Sequence, residues 1–260
     1  MDKTVFLVEG GRKLTELFGD ERLDYIVSNS SLKIIQSPSV FSYSLDAVLL
    51  AHFAHIPITR GKILELCSGN GIIPILLSMR TQVQIDGLEI QDRLHQMARR
   101  NVALNELDDQ VTIYKGDLKE VYDELKQSHY DSVICNPPYF PTPHKNEHNE
   151  NEHYTIARHE VLCTLDDVVK ACKRYVKPGG KVTLVHRPER LVDLISYMKD
   201  YKIEPKRMRL VYPKKGKEAN TLLIEGIRDG KQGLKIESPL FVYEADGRYT
   251  KEARQTIYGT

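Results

Sequence analysis

Ile63-Leu64-Glu65-Leu66-Cys67-Ser68-Gly69-Asn70-Gly71-Ile72-Ile73 is a short apolar run that breaks on two glycines and resumes as an apolar helical pattern. Such a segment reads as a strand turning sharply into a helix, where glycine lets the backbone approach a ligand beside an electropositive helix N-terminus. It departs from the dinucleotide fingerprint, because Pro74 stands where the third glycine of G-x-G-x-x-G belongs. Taken alone, a plain structural turn is the competing reading.

The chain around this segment alternates short apolar runs with longer helical patterns, the signature of βαβ units and a parallel sheet. Strands are expected at 62–66, 84–89, 111–114, 132–135 and 181–186, and helices at 72–79, 91–105, 165–176 and 190–201. Pro178-Gly179-Gly180 is expected to turn the chain just before the fifth strand. Two more β-like runs, 208–212 and 221–226, have no helical pattern between them and should pair as an antiparallel edge. Upstream, 23–38 reads as short strands and turns, and 46–55 as a helix. The expected organisation is an N-terminal extension over 1–55 that packs on the nucleotide site, a main domain over 56–236 and a C-terminal tail over 237–260. The stretch 136–157, rich in Pro, Asn, Glu and His, is expected to be a mobile loop.

At 260 residues and 41% hydrophobic content, the chain can bury the core of one α/β domain. With 37 Lys plus Arg against 36 Asp plus Glu it is no polyelectrolyte, so any nucleic-acid surface must be local. The basic region between Lys202 and Lys235 is the candidate, with a solvated charged face as its ordinary alternative. Cys67, Cys135, Cys163 and Cys172 form no C-x-x-C pair, which suits reduced thiols in a cytoplasmic protein. Neither a signal peptide nor an apolar run of membrane-spanning length is seen, so no membrane association is expected. His144, His148, His153 and His159 lie in polar context and are read as solvated side chains, with no metal site expected.

Glu89 ends the second strand 18 residues after Gly71, where a carboxylate can accept both hydroxyls of a ribose. Asp117, after the third strand, stands where it can accept from an adenine amino group or, equally, cap a following helix. Directly after the fourth strand comes Asn136-Pro137-Pro138-Tyr139. This tetrapeptide resembles the N-P-P-Y motif of Rossmann-like methyltransferases that act on planar NH2 groups.

That resemblance extends over nearly the whole chain to bacterial tRNA(Val) adenine-N6 methyltransferases, through 41–50, 157–160 and 243–250. It implies an α/β class I methyltransferase fold with a mostly parallel seven-stranded sheet and an antiparallel edge pair. It implies S-adenosylmethionine as cofactor, held by Ser44, Asp46, Glu65, Gly69, Gly71, Glu89, Asp117 and Asn136, and a tRNA substrate. Glu65 and Cys67 depart from the Asp and Gly frequent in the family at those places. The family view makes Asn136, Pro137 and Tyr139 catalytic. The Asn136 oxygen and Pro137 carbonyl accept the two amino hydrogens of the target, and Tyr139 stacks on its flat ring. Substrate contacts are expected from Phe140, Arg158, Lys206, Arg207, Arg209, Lys214, Lys215 and Lys217. N-P-P-Y specifies the chemistry more than the substrate, so a protein glutamine amide, or an adenine of DNA or rRNA, stands as the alternative. Outside that enzyme class stand a nicotinamide oxidoreductase and a catalytically silent RNA-binding module.

Overall fold

Strands buried along both faces set the centre of the molecule. The computed structural model describes residues 5–7, 15–26, 29–40, 42–139 and 162–258. Val5–Leu7 (β1) pairs with Thr15–Leu17 (β2), and Arg22–Ile26 (β3) with Asn29–Gln36 (β4), each pair antiparallel and separate from the main sheet. The main sheet holds Lys62–Leu66 (β5), Gln84–Glu89 (β6), Val111–Lys115 (β7), Tyr130–Cys135 (β8), Val176–His186 (β9), Ile203–Lys214 (β10) and Thr221–Arg228 (β11). Its order is β10-β11-β9-β8-β5-β6-β7. β11 runs antiparallel to both β9 and β10, and the remaining neighbours are parallel.

The expected antiparallel edge pair is thus present, but the sheet has nine strands among the described residues, not seven. Lys235–Ile236 (β12) and Leu240–Tyr243 (β13) add in parallel along the free edge of β10. They are two and four residues long, below the length at which alternation stands out in a sequence.

The fifth strand also differs from expectation. Helix Leu165–Tyr175 (α4) passes directly into β9, where Val176 pairs with Tyr130 and Lys181 with Ser132. Pro178-Gly179-Gly180 is therefore a bulge inside a continuous strand. Gly179 takes φ +75°, and a Cβ on Gly180 would sit 2.7 Å from Val176 Cγ2 and 2.9 Å from the Lys177 carbonyl oxygen.

Helices Leu45–Phe53 (α1), Ile72–Ser78 (α2), Asp92–Leu104 (α3) and Lys251–Tyr258 (α6) cover one sheet face, while α4 and Leu191–Asp200 (α5) cover the other. α1 ends in carbonyls that two guanidiniums cap: Arg80 donates to Ala51 and Ala54, and Arg207 to Phe53.

The β3–β4 hairpin is fastened to α3 by asparagines. Ile35 N–H donates to Asn101 Oδ1 at 2.6 Å while Asn101 Nδ2 donates to the Ile35 carbonyl at 3.0 Å; Asn105 and Lys33 repeat the exchange at 2.9 and 2.8 Å. Four helical residues rise about 6 Å, and two strand residues about 6.7 Å. The two amides therefore meet alternate residues of β4 as a neighbouring strand would. Arg100 adds a two-pronged bond to the buried Glu21 carboxylate, at 2.6 and 2.7 Å.

Candidate active site

The carboxyl ends of β5, β6, β7 and β8 open on one cleft. Cys67, Ser68 and Gly69 follow β5; Glu89, Ile90 and Gln91 close β6; Gly116, Asp117 and Leu118 follow β7; Asn136 and Pro138 follow β8. Ile72, Ile73, Leu88 and Leu94 make its apolar wall. Ligands of open α/β sheets bind at this edge, where each strand releases its chain into a loop.

The turn after β5 is tight. Cys67, Gly69 and Gly71 all take positive φ, at 61°, 54° and 82°. Cys67 is a non-glycine in the left-handed region, and the neighbouring Cys135, together with burial, pushes its thiol well up. A Cβ on Gly71 would meet Ala98 Cβ at 3.2 Å, so glycine there lets α2 and α3 close together.

Glu89 faces this turn. One carboxylate oxygen accepts from Gly69 N–H and the other from Gln91 N–H, both at 2.8 Å, which leaves a second lone pair on each oxygen. Burial raises its pKa against the pull of those backbone donors. Glu65 is 1% exposed, and burial pushes its carboxyl well above the usual range, reinforced by Glu89; its Oε2 has no hydrogen-bond partner. Asp117 lines the cleft, and its Oδ1 accepts from Lys119 N–H at 2.9 Å. Residues 118–129 form turns and bends, so this is a local turn and not the helix cap that was its alternative reading.

At the mouth, Tyr139 hydroxyl donates to Asn136 Oδ1 at 2.7 Å and lies 3.2 Å from Asp46 Oδ2, while Thr221 hydroxyl donates to Asp46 Oδ1 at 2.9 Å. A phenol has one proton, so the shorter contact holds it. Burial and the Asp46 carboxylate drive the Tyr139 pKa well up. The Tyr139 ring is 5.3 Å from that of His186, tilted by 56°. His186 is fully buried; burial, then Arg190, lower its pKa to about 4. It is neutral at physiological pH, and Nδ1 accepts the Arg187 N–H at 2.9 Å.

Of the expected cofactor residues, Glu65, Gly69, Glu89, Asp117 and Asn136 line the cleft together. Ser44 and Gly71 lie outside its lining, and Asp46 is turned toward Tyr139 and Thr221, leaving Ala47 as the residue of α1 that faces in. Pro137 is replaced at the wall by Pro138. Phe140, Arg158 and the four loop histidines fall outside the described residues. Among the described residues no cluster of His, Cys, Asp and Glu is arranged to hold a metal ion, and no helix is long and apolar enough to cross a membrane.

The basic candidates divide. Arg207 stacks on Phe53, 3.8 Å from its ring centre, and pairs with Glu225 and Glu237; Arg209 pairs with Glu252; Lys206 donates to the carbonyls of Lys231 and Gln232. Lys214, Lys215 and Lys217 are exposed. Sequence reasoning missed Thr221, which bonds Asp46, and His186, whose ring lies beside that of Tyr139, both on strands remote in the chain. It also missed Asn101 and Asn105, although two amides four apart were the available signal.

Residues 31–195 match the methyltransferase small domain family. The chain belongs to that family. The family uses S-adenosylmethionine. Among relatives of this family member, a tRNA1(Val) (adenine(37)-N6)-methyltransferase from Aeromonas hydrophila is 27% identical over 211 residues, 79% of this chain and 84% of the relative. One of the same name from Porphyromonas gingivalis is 28% identical over 237 residues, 87% of this chain and 91% of the relative. A solved structure of a predicted O-methyltransferase from Agrobacterium tumefaciens superposes with a TM-score of 0.65 at 20% identity, covering 81% of this chain and 94% of its own. A geranyl diphosphate C-methyltransferase from Streptomyces coelicolor gives 0.51 at 10% identity, with 71% and 76% covered. The fold of this family member is the class I methyltransferase fold.

Proposed function

We propose that this family member transfers the methyl group of S-adenosylmethionine to the exocyclic N6 of an adenine in tRNA, beside the anticodon of a valine tRNA. The observation that carries the reading is that Asn136 lies in the wall of the cleft, with its side-chain oxygen bonded by a single exchangeable partner, the Tyr139 hydroxyl. The names of the relatives support adenine and tRNA.

The residues present fit this cofactor. The spare lone pairs of Glu89 suit two ribose hydroxyls, the apolar wall suits a base, and the unpartnered Glu65 Oε2 is a buried acceptor suited to an ammonium group. Bound, the cofactor supplies an electrophilic methyl on a sulfonium. The chain's own work is alignment and hydrogen bonding, with no dedicated general base. Asn136 Oδ1, released by Tyr139, accepts one amino hydrogen and the Pro137 carbonyl the other, so the nitrogen lone pair is freed from the ring. Asp46, braced by Thr221, takes up the displaced Tyr139 hydroxyl, whose ring packs on the target base. The methyltransferase unit of this reading spans 56–236, with 1–55 packing on its site through Asp46 and Ala47 and 237–260 adding β13 to its sheet, and a tRNA substrate suits a cytoplasmic protein.

The test is incubation with labelled S-adenosylmethionine and unmodified total tRNA beside a protein control, followed by nucleoside analysis. Label in N6-methyladenosine is expected, and label in glutamine alone refutes the substrate. Asn136→Ala should lower kcat by about 10²- to 10³-fold, the usual effect of losing one transition-state hydrogen bond, with cofactor affinity nearly unchanged.

A further inference from the structure

Which of the basic residues meets a polyanion is decided by which end of the sheet each occupies. β9 is parallel to β8, and β11 reverses between β9 and β10, so β10 and its parallel partner β13 run with the catalytic strands. Their carboxyl ends therefore emerge on the same edge as Asn136. β10 ends in the exposed turn Lys214-Lys215-Gly216-Lys217, closed by Lys217 N–H on the Lys214 carbonyl at 3.1 Å. That turn leads to Thr221, which bonds the Asp46 carboxylate that braces Tyr139. Three strand spacings, about 14 Å, separate β10 from β8.

Two observations point to the same ligand. The first is unspent charge: among the described residues, none of the Lys214, Lys215 and Lys217 ammoniums is paired with a carboxylate, while Arg207 and Arg209 are held by Glu225, Glu237 and Glu252. The second is an aromatic platform. Tyr243, 37% exposed, lies opposite Lys214 in the β10–β13 register and stacks on Tyr249 with ring centres 5.0 Å apart and planes at 25°. Glu218 and Glu244 are at the same end, and Asp246 is neutralised by Arg248. Cations interleaved with an exposed ring are what a splayed single-stranded nucleic acid recognises, phosphates on the lysines and a base on the ring.

We infer that the Lys214–Lys217 turn and Tyr243 form the docking site for the RNA backbone and an unstacked base flanking the target nucleotide. This rests on the tRNA reading above and deepens it, because it replaces a diffuse basic region with one edge of the sheet.

The test is the affinity for an unmodified tRNA transcript across a salt series. It compares the unaltered protein, Lys214→Glu/Lys215→Glu/Lys217→Glu, and the charge-matched control Lys126→Glu/Lys231→Glu/Lys235→Glu at the opposite end. Losing three phosphate contacts to single-stranded RNA should reduce the slope of log affinity against log salt by about 2. The turn variant should raise KM for tRNA roughly tenfold or more at moderate salt, with cofactor affinity and the rate at saturating tRNA kept. The control should match the unaltered protein. Tyr243→Ala should weaken binding with the slope unchanged. If the triple variant does not fold, Lys215→Ala should still lower the slope by about 0.7. Equal slopes and KM values in turn variant and unaltered protein, with tRNA still methylated, overturn the docking site and leave the tRNA reading standing. No salt-dependent RNA binding by the unaltered protein, with methylation of an acidic protein instead, overturns both.

Discussion

Asn101→Ala should cost as much stability as truncating an apolar core residue, although Asn101 is polar. Asn101 is fully buried and makes three hydrogen bonds, with Ile35 N–H, the Ile35 carbonyl and the Asn70 carbonyl. After truncation the Ile35 carbonyl keeps Asn70 Nδ2 at 3.3 Å, but Ile35 N–H and the Asn70 carbonyl lose the Asn101 partner. Each stranded group costs ~1–3 kcal/mol, so the sum is about 2–6 kcal/mol, a large share of the 5–15 kcal/mol typical of a whole domain. Because Asn70 lies between Gly69 and Gly71, in the turn proposed to meet the cofactor, cofactor affinity should fall as well. Urea unfolding of the unaltered protein and the variant, with cofactor titration of both in native buffer, measures the two effects. A loss below about 1 kcal/mol would mean that the amide bonds are not what holds the hairpin to α3. Asn105→Ala, on the partly exposed pair, should show the smaller effect of the two.

Other outcomes follow from the same geometry. Gly71→Ala forces a side chain into φ +82° and against Ala98, and should destabilise by about 1–3 kcal/mol in chemical unfolding; a neutral result would refute the close-packing argument. His186 has its pKa lowered from 6.5 to about 4, so it contributes stability above pH 6.5 that is lost as pH falls toward 4. Relative to His186→Phe, the unaltered protein should lose about 2 kcal/mol between pH 7 and 5 and about 3 by pH 4; parallel stability curves would contradict this. Tyr139→Phe keeps the ring but loses the hydroxyl's bond to the Asp46 carboxylate, worth ~1.5–3 kcal/mol, and should reduce kcat by about ten- to a hundredfold. Tyr139→Ala also loses stacking worth ~1–3 kcal/mol, and equal activity of the two in single-turnover assays would show that the ring does not contact the base.

The parallel core was legible because short runs carrying Ile63, Leu64 and Leu66, or Ile85 and Leu88, alternate with helical patterns: 62–66 and 84–89 match β5 and β6 residue for residue. The loops that carry Glu89, Asp117 and Asn136 follow from where those strands stop. Segments whose structure depends on a distant partner were not legible. β12 and β13 exist as strands only because β10 offers them an edge. The Pro-Gly-Gly sequence reads as a turn on local grounds, yet the pairing of Val176 with Tyr130 draws it into β9 as a bulge. Charge was misleading for the same reason, since nothing in the sequence around Arg207 reveals Glu237 or the Phe53 ring beneath its guanidinium.

The reversed strand β11 has a consequence for synthesis on the ribosome. It is inserted between β9 and β10, so β9 offers an unpaired apolar edge until residues 221–228 have emerged. Until then an edge rich in Val and Leu is open to pairing with a neighbouring nascent chain. Asp46 likewise waits for Thr221, 175 residues later, before Tyr139 acquires its bracing. The methylation site thus matures only after most of the polypeptide has been made, and a chain stopped short of β11 lacks the sheet edge and the brace together.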